Sequence, residues 1–176
     1  MSGLSIVTPG LRLLPVSAEL AGLVASHREQ AQRLCGLSFD PAWPEADMPP
    51  VMESYAKALR RVPQLLGWGI WLISHQGCVI GDAGFKGRPS NGVVEIGYSI
   101  VARFQGRGFA TEAVSALSQW AFSQGVTCVK AQCDAGNHAS VAVLKKLNMR
   151  QVKASGSMLH WELGAADPDK KLSLPS

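Results

Sequence analysis

The sequence predicts a single mixed α/β domain in which antiparallel strands precede a strand-helix-strand-helix unit. Short segments of alternating apolar residues, separated by turn residues, are typical of meandering strands. Later segments alternate strand patterns with apolar residues at helical spacing. With 176 residues and 47% hydrophobic content, one core is expected to bury roughly 70% of the unfolded chain's surface. Residues 1–163 are predicted to form this domain, and the polar residues 164–176 a flexible tail.

The N-terminal third is predicted to contain one strand and two helices. Residues 11–14 have the alternation of a strand, and Ser17 is expected to cap the helix that follows. Residues 36–50 hold four prolines and three acids, so they are expected to form a long loop without a regular element. Residues 50–62 then favour a helix with Pro50 in its first turn.

Three meandering strands are predicted next. Their alternating apolar residues are separated by short turns that contain glycine, as in antiparallel hairpins. The strands are residues 68–73, 78–85 and 93–101, and the turns are residues 75–77 and 86–92.

The C-terminal part is predicted to add one strand, one helix and a hairpin. Residues 127–133 alternate like a strand, and Asn137 is expected to cap a helix that ends near Leu147. Residues 151–155 and 158–163 are expected to pair as the terminal hairpin.

Between the meander and this part, a strand runs through a glycine turn straight into a helix. Gly106 and Gly108 allow the backbone to approach a ligand closely. The helix predicted over residues 110–122 offers first-turn amides without intrahelical partners, and its dipole favours a phosphate there. A GxxxxGK[ST] motif is absent, and Thr111 stands where a dinucleotide motif needs glycine. An anion site is therefore expected, but not one for a simple NTP or NAD.

The residues of this turn carry a resemblance to a known family. Residues 103–108, RFQGRG, resemble the R/Q-x-x-G-x-G/A acyl-CoA signature of the GNAT superfamily of N-acetyltransferases. EIGY at residues 95–98, NHAS at 137–140 and LKKLNM at 144–149 resemble the branch that acetylates the N-termini of ribosomal proteins. The resemblance implies a GNAT-like central mixed twisted sheet of six to seven strands with helices on both faces.

The resemblance also implies a reaction and a donor. Acetyl-CoA would donate an acetyl group to a primary amine, either a peptide N-terminus or a small molecule, by direct attack in a ternary complex. The resemblance implies that the central strand splays at a bulge so that pantetheine pairs with it, and that the backbone amide of Ile100 or Val101 polarises the thioester oxygen. The other expected cofactor contacts are Arg103, Gln105, Gly106, Arg107, Gly108, Phe109, Ala110, Thr111, Asn137 and Ser140, with Lys145 or Lys146 near the outer phosphate, although Arg103, Arg107 and Thr111 also fit solvated surface residues.

Two residues are candidates for the chemistry. Glu95 is an acid in an otherwise apolar strand and is expected to accept the amine proton through water, although it also fits a structural or solvent-facing carboxylate. Leu144 stands where many relatives have a tyrosine that protonates the leaving thiolate, and the resemblance implies Ser140 in its place. Ser140 also fits ordinary first-turn chemistry with Asn137 as cap. The missing tyrosine leaves an alternative function open, a domain that binds CoA as a sensor without turnover.

The acceptor is predicted from weaker signals. Residues 36–50 combine acids with aromatic residues, which suits a cationic amine, although such a stretch is also often a plain connector. Trp68 and Trp71 are three positions apart, so one is expected in the core and the other lining the acceptor cleft. The loop residues concerned are Phe39, Asp40, Trp43, Glu45 and Asp47.

Composition limits the remaining possibilities. The net charge of +4 and pI near 9.0 suit a cofactor with several phosphates, and the scattered Lys and Arg residues argue against a nucleic-acid arm. Four cysteines without a CxxC or zinc-like pattern predict reduced thiols, a cytoplasmic protein and no metal. The longest apolar run, residues 65–73, falls short of the roughly 20 residues that a membrane span needs. A monomer or homodimer is expected.

Overall fold

The computed structural model describes residues 3–165 and has nine strands, five α-helices and two short 3-10 helices in that part of the chain. The strands are β1 (Ile6–Val7), β2 (Arg12–Pro15), β3 (Ser38–Phe39), β4 (Ile70–His75), β5 (Cys78–Phe85), β6 (Val93–Ile100), β7 (Cys128–Asp134), β8 (Arg150–Ser155) and β9 (Met158–Gly164). The helices are α1 (Ala18–Ser26), α2 (Arg28–Cys35), α3 (Met48–Arg61), α4 (Phe109–Ser123) and α5 (His138–Lys146).

The strands form one mixed sheet in the order β1-β2-β4-β5-β6-β7-β9-β8, with β3 paired to β5 off this path. Neighbours along this path are antiparallel except β6 and β7, which are parallel. A parallel pair needs a crossover connection, and α4 provides it between β6 and β7.

Helices cover both faces of the sheet, as the fold prediction requires. Successive residues of a strand point to opposite faces. On β4, fully buried Leu72 packs in a core with Leu20 and Met52, under α1 and α3, whereas fully buried Ile73 packs in a second core with Leu117 of α4. The sheet therefore separates a core under α1–α3 from a core under α4 and α5. None of the helices in residues 3–165 is both long and apolar enough to span a bilayer.

All seven predicted strands are present, with ends that shift by one or two residues. The sheet exceeds the expected six to seven strands because β1 and β3 add two-residue strands that local patterns do not reveal. The side-chain oxygen of Ser17 caps α1 by accepting from the Leu20 amide at 3.1 Å, as predicted. Helix α3 begins at Met48 rather than at Pro50. Of the predicted tail, residues 166–176 lie outside the described part of the chain.

The expectation of an irregular loop over residues 36–50 is partly wrong, because it contains β3 and the start of α3. The Arg28 guanidinium holds this segment, since it donates to the carbonyls of Phe39 and Asp40 at 2.8 Å each and also to the carbonyl of Trp43. A side chain distant in sequence thus satisfies carbonyls that a free loop would leave to water.

The central feature of the sheet is a gap between β6 and β7. The two strands pair only from Val93 to Glu95, opposite residues 128–130, whereas β7 remains paired with β9 as far as Asp134. Residues 96–100 of β6 therefore have no partner on this side. The expected bulge in β6 is absent, because the β5–β6 register is continuous over these residues; the shift lies between β4 and β5, at Ile73 and Ser74.

Two glycines opposite each other in the sheet give a matched test of its packing. Gly84 of β5 and Gly97 of β6 are register partners. A Cβ at Gly84 would overlap the backbone carbonyl oxygen of Gly69, whereas a Cβ at Gly97 would meet no atom within 4 Å. We expect Gly84→Ala to lower the free energy of unfolding by about 1–3 kcal/mol, the usual cost of overpacking. Gly97→Ala should change it by less than about 1 kcal/mol. Urea denaturation measures both, and equal effects would contradict this description of the β4–β5 contact.

Candidate active site

A cleft of about 280 Å³ opens where β6 and β7 separate. Its walls are the end of β6, the turn that follows it, the first turn of α4 and one face of α5. The structure brings nine of the predicted site residues together in its lining: Ile100, Gln105, Gly106, Gly108, Phe109, Ala110, Thr111, Asn137 and Ser140.

The first turn of α4 supplies backbone donors to this cleft. Gly108 precedes the helix with φ of 85°, and it has no side chain to cap the helix. The first intrahelical bond of this end is donated by the Glu112 amide to the Gly108 carbonyl at 3.0 Å. The amides of residues 109–111 therefore have no intrahelical acceptor, and these residues line the cleft. Free amides at the positive end of a helix dipole form a site for phosphate groups.

The exposed edge of β6 supplies a second set of backbone groups. In an antiparallel pair, alternate residues direct their N–H and C=O groups to the same neighbour. Glu95 and Val101 direct these groups to the β5 side, because the amide of Lys86, the residue after β5, donates to the Glu95 carbonyl and the Val101 amide donates to the Ile80 carbonyl, both at 2.9 Å. The amides of Tyr98 and Ile100 consequently point into the gap.

This alternation distinguishes the directions of the two amides that the resemblance implied. The Val101 amide cannot polarise a bound carbonyl, because it already bonds to Ile80. The Ile100 amide has the required direction. The carbonyl of Ile100 accepts from Gln105 Nε2 at 2.8 Å, a bond that holds the glycine turn against the end of β6.

The two arginines of the turn do not line the cleft. Arg103 is paired with the carboxylate of Asp40, a bond of 2.6 Å from its Nε, and only 2% of that Asp40 side chain is exposed. Arg107 lies over the rings of Phe104 and Phe109, at 5.5 and 5.0 Å from their centroids. Arg103 is thus engaged by Asp40, whereas Arg107 lies over Phe109, which lines the cleft, and the prediction that these arginines lie near phosphates stays a prediction.

Helix α5 places polar groups across the cleft from β6. Asn137 caps this helix as predicted, with its Oδ1 accepting from the Ser140 amide at 3.1 Å. Of the two lysines at the end of the helix, Lys146 lines the cleft and Lys145 does not. Leu144 is fully buried in the core under α4 and α5.

Tyr98 is a cleft residue that the sequence analysis missed, although it belongs to the EIGY motif. Its hydroxyl donates to the backbone carbonyl of Ser140 at 3.4 Å. Burial raises the pKa of Tyr98 above its ordinary value, and a hydrogen bond with the side chain of Ser140 opposes this shift.

Glu95 lies apart from the cleft. It is an odd number of residues from Tyr98 on β6, so its side chain points to the face under α1–α3. Its carboxylate forms an ion pair with Lys86 and accepts from Gln132 Nε2 at 3.3 Å. The rise of a strand puts its Cα about 17 Å from that of Ile100.

The same face of the sheet carries a second acid at the level of the cleft. Asp82 of β5 is the register partner of Ser99 and accepts from Trp43 Nε1 at 2.8 Å. Burial raises the pKa of Asp82 to about 6; the bond from Trp43 opposes this, and the charges of Glu45 and Asp47 add to it. The Ser99 hydroxyl, in turn, donates to Glu45 Oε1 at 3.0 Å. Asp82 has the sequence signal that singled out Glu95, an acid within an apolar strand.

Two further acceptor predictions are corrected. Asp40 is occupied by Arg103 and buried, so it is not available to a cationic amine. Trp68 precedes β4, and both it and Trp71 pack against Trp120 of α4, at centroid distances of 4.7 and 5.4 Å. Neither tryptophan therefore lines the face that carries Asp82. Within residues 3–165, no group of three or more His, Cys, Asp or Glu side chains is arranged to hold a metal ion.

Comparisons with known proteins give the same picture of the fold. A family model described as the acetyltransferase (GNAT) domain matches residues 11–150. The uncharacterized N-acetyltransferase YjdG of Bacillus subtilis (strain 168) is 27% identical over 158 residues, which cover 88% of this chain and 94% of that protein. The crystal structure of ribosomal-protein-S5-alanine acetyltransferase from Vibrio fischeri has a TM-score of 0.66 at 16% identity, and the match covers 96% of this chain and 99% of that one. RimL, the ribosomal L7/L12 alpha-N-protein acetyltransferase in complex with coenzyme A, has a TM-score of 0.64 at 19% identity, with 90% and 96% covered.

The matched region runs from β2 to the start of β8 and so contains the β6–β7 gap, the glycine turn and both helices that border the cleft. The chain therefore belongs to the GNAT acetyltransferase family, and it is an acetyl-CoA-dependent acetyltransferase.

Proposed function

We propose that this protein transfers the acetyl group of acetyl-CoA to a primary amine, by direct attack while donor and acceptor are both bound. One observation supports it most: the gap joins an uncapped helix N-terminus to an unpaired strand edge. These are the two kinds of backbone surface that a pyrophosphate and an amide-containing arm require. Acetyl-CoA supplies the activated acyl group as a thioester.

The residues that would hold the donor are mainly backbone groups. The amides of residues 109–111 would bind its pyrophosphate, and Gly106 leaves room for close approach, with φ of 71° and no atom within 4 Å of the place where a Cβ would lie. The amides of Tyr98 and Ile100 would pair with the pantetheine arm. Of these, the Ile100 amide would polarise the thioester oxygen, and such a donor is typically worth about 3 kcal/mol when charge develops on that oxygen.

The amine proton would leave on the opposite face of β6. Asp82 is the better placed carboxylate, because it lies directly across from Ser99, which also borders the cleft. Because its pKa is raised to about 6, the Asp82 carboxyl is mostly ionised at neutral pH and can accept a proton. This pKa also lies close to neutral pH, where a general base is most effective. Glu95 stays the second candidate for this role, reached only through a chain of water molecules.

The acceptor class follows from the charges on that face. Asp82 and Glu45 both adjoin Ser99, which favours an acceptor that arrives as an ammonium ion. The structural neighbours named for ribosomal-protein alanine and L7/L12 acetylation support a peptide N-terminus, and a small-molecule amine fits the same charges.

A CoA sensor without turnover is not favoured, because the family model and the curated relative both describe acetyltransferases. The four cysteines are free thiols, which supports the cytoplasmic location expected from the sequence. The prediction of a monomer or homodimer stays a prediction.

Acceptor-dependent release of CoA thiol tests the proposal directly. Acetyl-CoA is incubated with the protein and a panel of peptide N-termini, amino acids, polyamines and aminoglycosides. We expect thiol release with at least one cationic amine and a product that is heavier by one acetyl group in mass spectrometry. Binding of acetyl-CoA without acceptor-dependent release across the panel would instead support the sensor.

Adjacent lysines on α5 test the donor site. Lys146 lines the cleft and Lys145 does not, although both carry the same charge. We expect Lys146→Ala to weaken CoA binding roughly three- to tenfold, as befits an exposed charge near a phosphate. Lys145→Ala should leave the dissociation constant nearly unchanged. Isothermal titration calorimetry with CoA measures both dissociation constants. The same titration with dephospho-CoA, which lacks the outer phosphate, tests which phosphate Lys146 contacts. If Lys146 contacts the outer phosphate, Lys146→Ala should not weaken the binding of dephospho-CoA.

The pH dependence of kcat/KM tests the base. We expect an acid limb near pH 6 in the wild type, where Asp82 becomes protonated. Asp82→Asn should lower the rate and remove that limb, and Glu95→Gln should keep it. Loss of the limb in Glu95→Gln alone would return the role to Glu95.

Unfolding experiments check the pKa of Asp82 without any substrate. Because its folded-state pKa is raised, the folded protein holds this proton more tightly than the unfolded chain. The resulting stability is fully present below the ordinary pKa of Asp and is lost as the pH rises through about 6. A rise of roughly two pKa units corresponds to about 3 kcal/mol. As the pH rises from about 4 to 7, the free energy of unfolding of the wild type should therefore fall relative to that of Asp82→Asn, by up to about 3 kcal/mol.

A further inference from the structure

The cleft contains a phenol hydroxyl whose present hydrogen bond is weak. The Tyr98 hydroxyl lies 3.4 Å from the carbonyl of Ser140, whereas O–H···O bonds are usually about 2.7–2.8 Å long. The ring packs against the core under α4 and α5, so the hydroxyl is directed across the gap towards the first turn of α5. A stronger hydrogen-bond acceptor bound in the cleft would therefore replace the Ser140 carbonyl as the partner of this hydroxyl with little loss of free energy.

The Tyr98 hydroxyl lies in the same cleft as the Ile100 amide that is proposed to hold the thioester oxygen. Tyr98 and Ile100 are the two residues whose amides point into the gap, and Ile100 is proposed above to hold the thioester oxygen. The sulfur is bonded to the same carbon as that oxygen. Leu144, at the position of the tyrosine that many relatives use, is fully buried in the core and outside the cleft lining. The phenol available on this wall of the cleft belongs to β6 instead.

We propose that the Tyr98 hydroxyl donates a hydrogen bond to the leaving CoA sulfur, in the role that the buried Leu144 cannot perform. The inference rests on the proposed function. The ammonium ion first loses one proton to water. The amine nitrogen then forms the new C–N bond, the C–S bond breaks with its electron pair going to sulfur, and the second nitrogen proton passes to the carboxylate on the other face. Tyr98 stabilises the resulting thiolate, which takes its proton from water on release.

A hydrogen bond, rather than transfer of the phenol proton, follows from the relative acidities. Burial raises the pKa of Tyr98 above its ordinary value, so the phenol stays protonated at neutral pH. A thiol has a pKa near 8.5 and is therefore the stronger acid. The groups around Tyr98 agree with a donor role: the Ser140 carbonyl on α5 accepts from it, and Cys133 on β7 adds to the rise of the Tyr98 pKa, which keeps the phenol protonated.

Tyr98→Phe removes the hydroxyl and keeps the ring in the core. We expect kcat to fall about 10- to 100-fold, as for loss of a hydrogen bond to a charged group, with little change in the dissociation constant of CoA. Tyr55→Phe on α3 is the matched control and should behave like the wild type, since Tyr55 does not line the cleft. Ser140→Ala is measured in parallel, and the double variant shows whether the two hydroxyls act on the same sulfur.

The thiol pKa of bound CoA gives a readout that needs no acceptor. It is followed by thiolate absorbance, with the complex of desulfo-CoA subtracted as the blank. We expect this pKa to be about one unit higher in Tyr98→Phe than in the wild type, which corresponds to a tenfold loss of thiolate stabilisation. Equal values in the two proteins would overturn the inference, and so would failure of CoA to bind. If no amine supports turnover, the proposed function fails while this titration still decides the role of Tyr98.

A second experiment tests the role of Tyr98 without requiring the Tyr98→Phe variant to fold. It contains two tyrosines, Tyr55 and Tyr98. In the Tyr55→Phe background, biosynthetic incorporation of fluorotyrosine therefore changes Tyr98 alone. A more acidic phenol is a stronger donor, so the pKa of the bound thiol should fall below that of the unlabelled protein. An unchanged value would also overturn the inference.

Discussion

The site depends on the early end of pairing between β6 and β7. Three residue pairs join these strands, and beyond Glu95 their backbones separate while each keeps its other neighbour. An unpaired strand edge in the middle of a sheet would normally be costly, because its amides and carbonyls lose their ladder. Here that edge faces a cleft of about 280 Å³, and the unpaired edge is also the surface proposed to bind the donor. The helices α4 and α5 begin beside the same cleft, which brings their first-turn groups to it.

The glycine turn is held in place by bonds that a ligand does not need. Gln105 bonds to the carbonyl of Ile100, Arg103 to buried Asp40, and Glu112 of α4 to the Gly10 amide at 2.7 Å. These contacts fix the first turn of α4 relative to both the strand end and the loop over residues 36–50. The donor site is thus preorganised by side chains, although the groups that face the cleft are largely amides. Such preorganisation lowers the entropy that binding must supply.

Local sequence patterns are sufficient to predict those features that depend only on residues close together in the sequence. The caps at Ser17 and Asn137 and the turn before α4 each depend on a few consecutive residues, and they are predicted correctly. Local patterns do not reveal partners that are distant in sequence. Spacing predicts Arg103 near a phosphate but does not show its ion pair with Asp40, and it selects Glu95 but not the buried Asp82. The roles of Arg103 and Glu95 stay predictions. Tyr98 is visible in its motif, but only the β5–β6 register shows which way it points.

In the proposed function, strand β6 is a wall shared by two substrates, and its period of two assigns alternate residues to each. Even-numbered residues turn towards the donor cleft, as Tyr98 does, whereas Gly97 and Ser99 turn towards the acidic face. A substitution at an odd-numbered position can consequently reshape the acceptor side while the backbone grip on the donor persists. One fold can diverge in this way among many amines without changing its coenzyme, and the sequence accordingly identifies the coenzyme far more sharply than the amine.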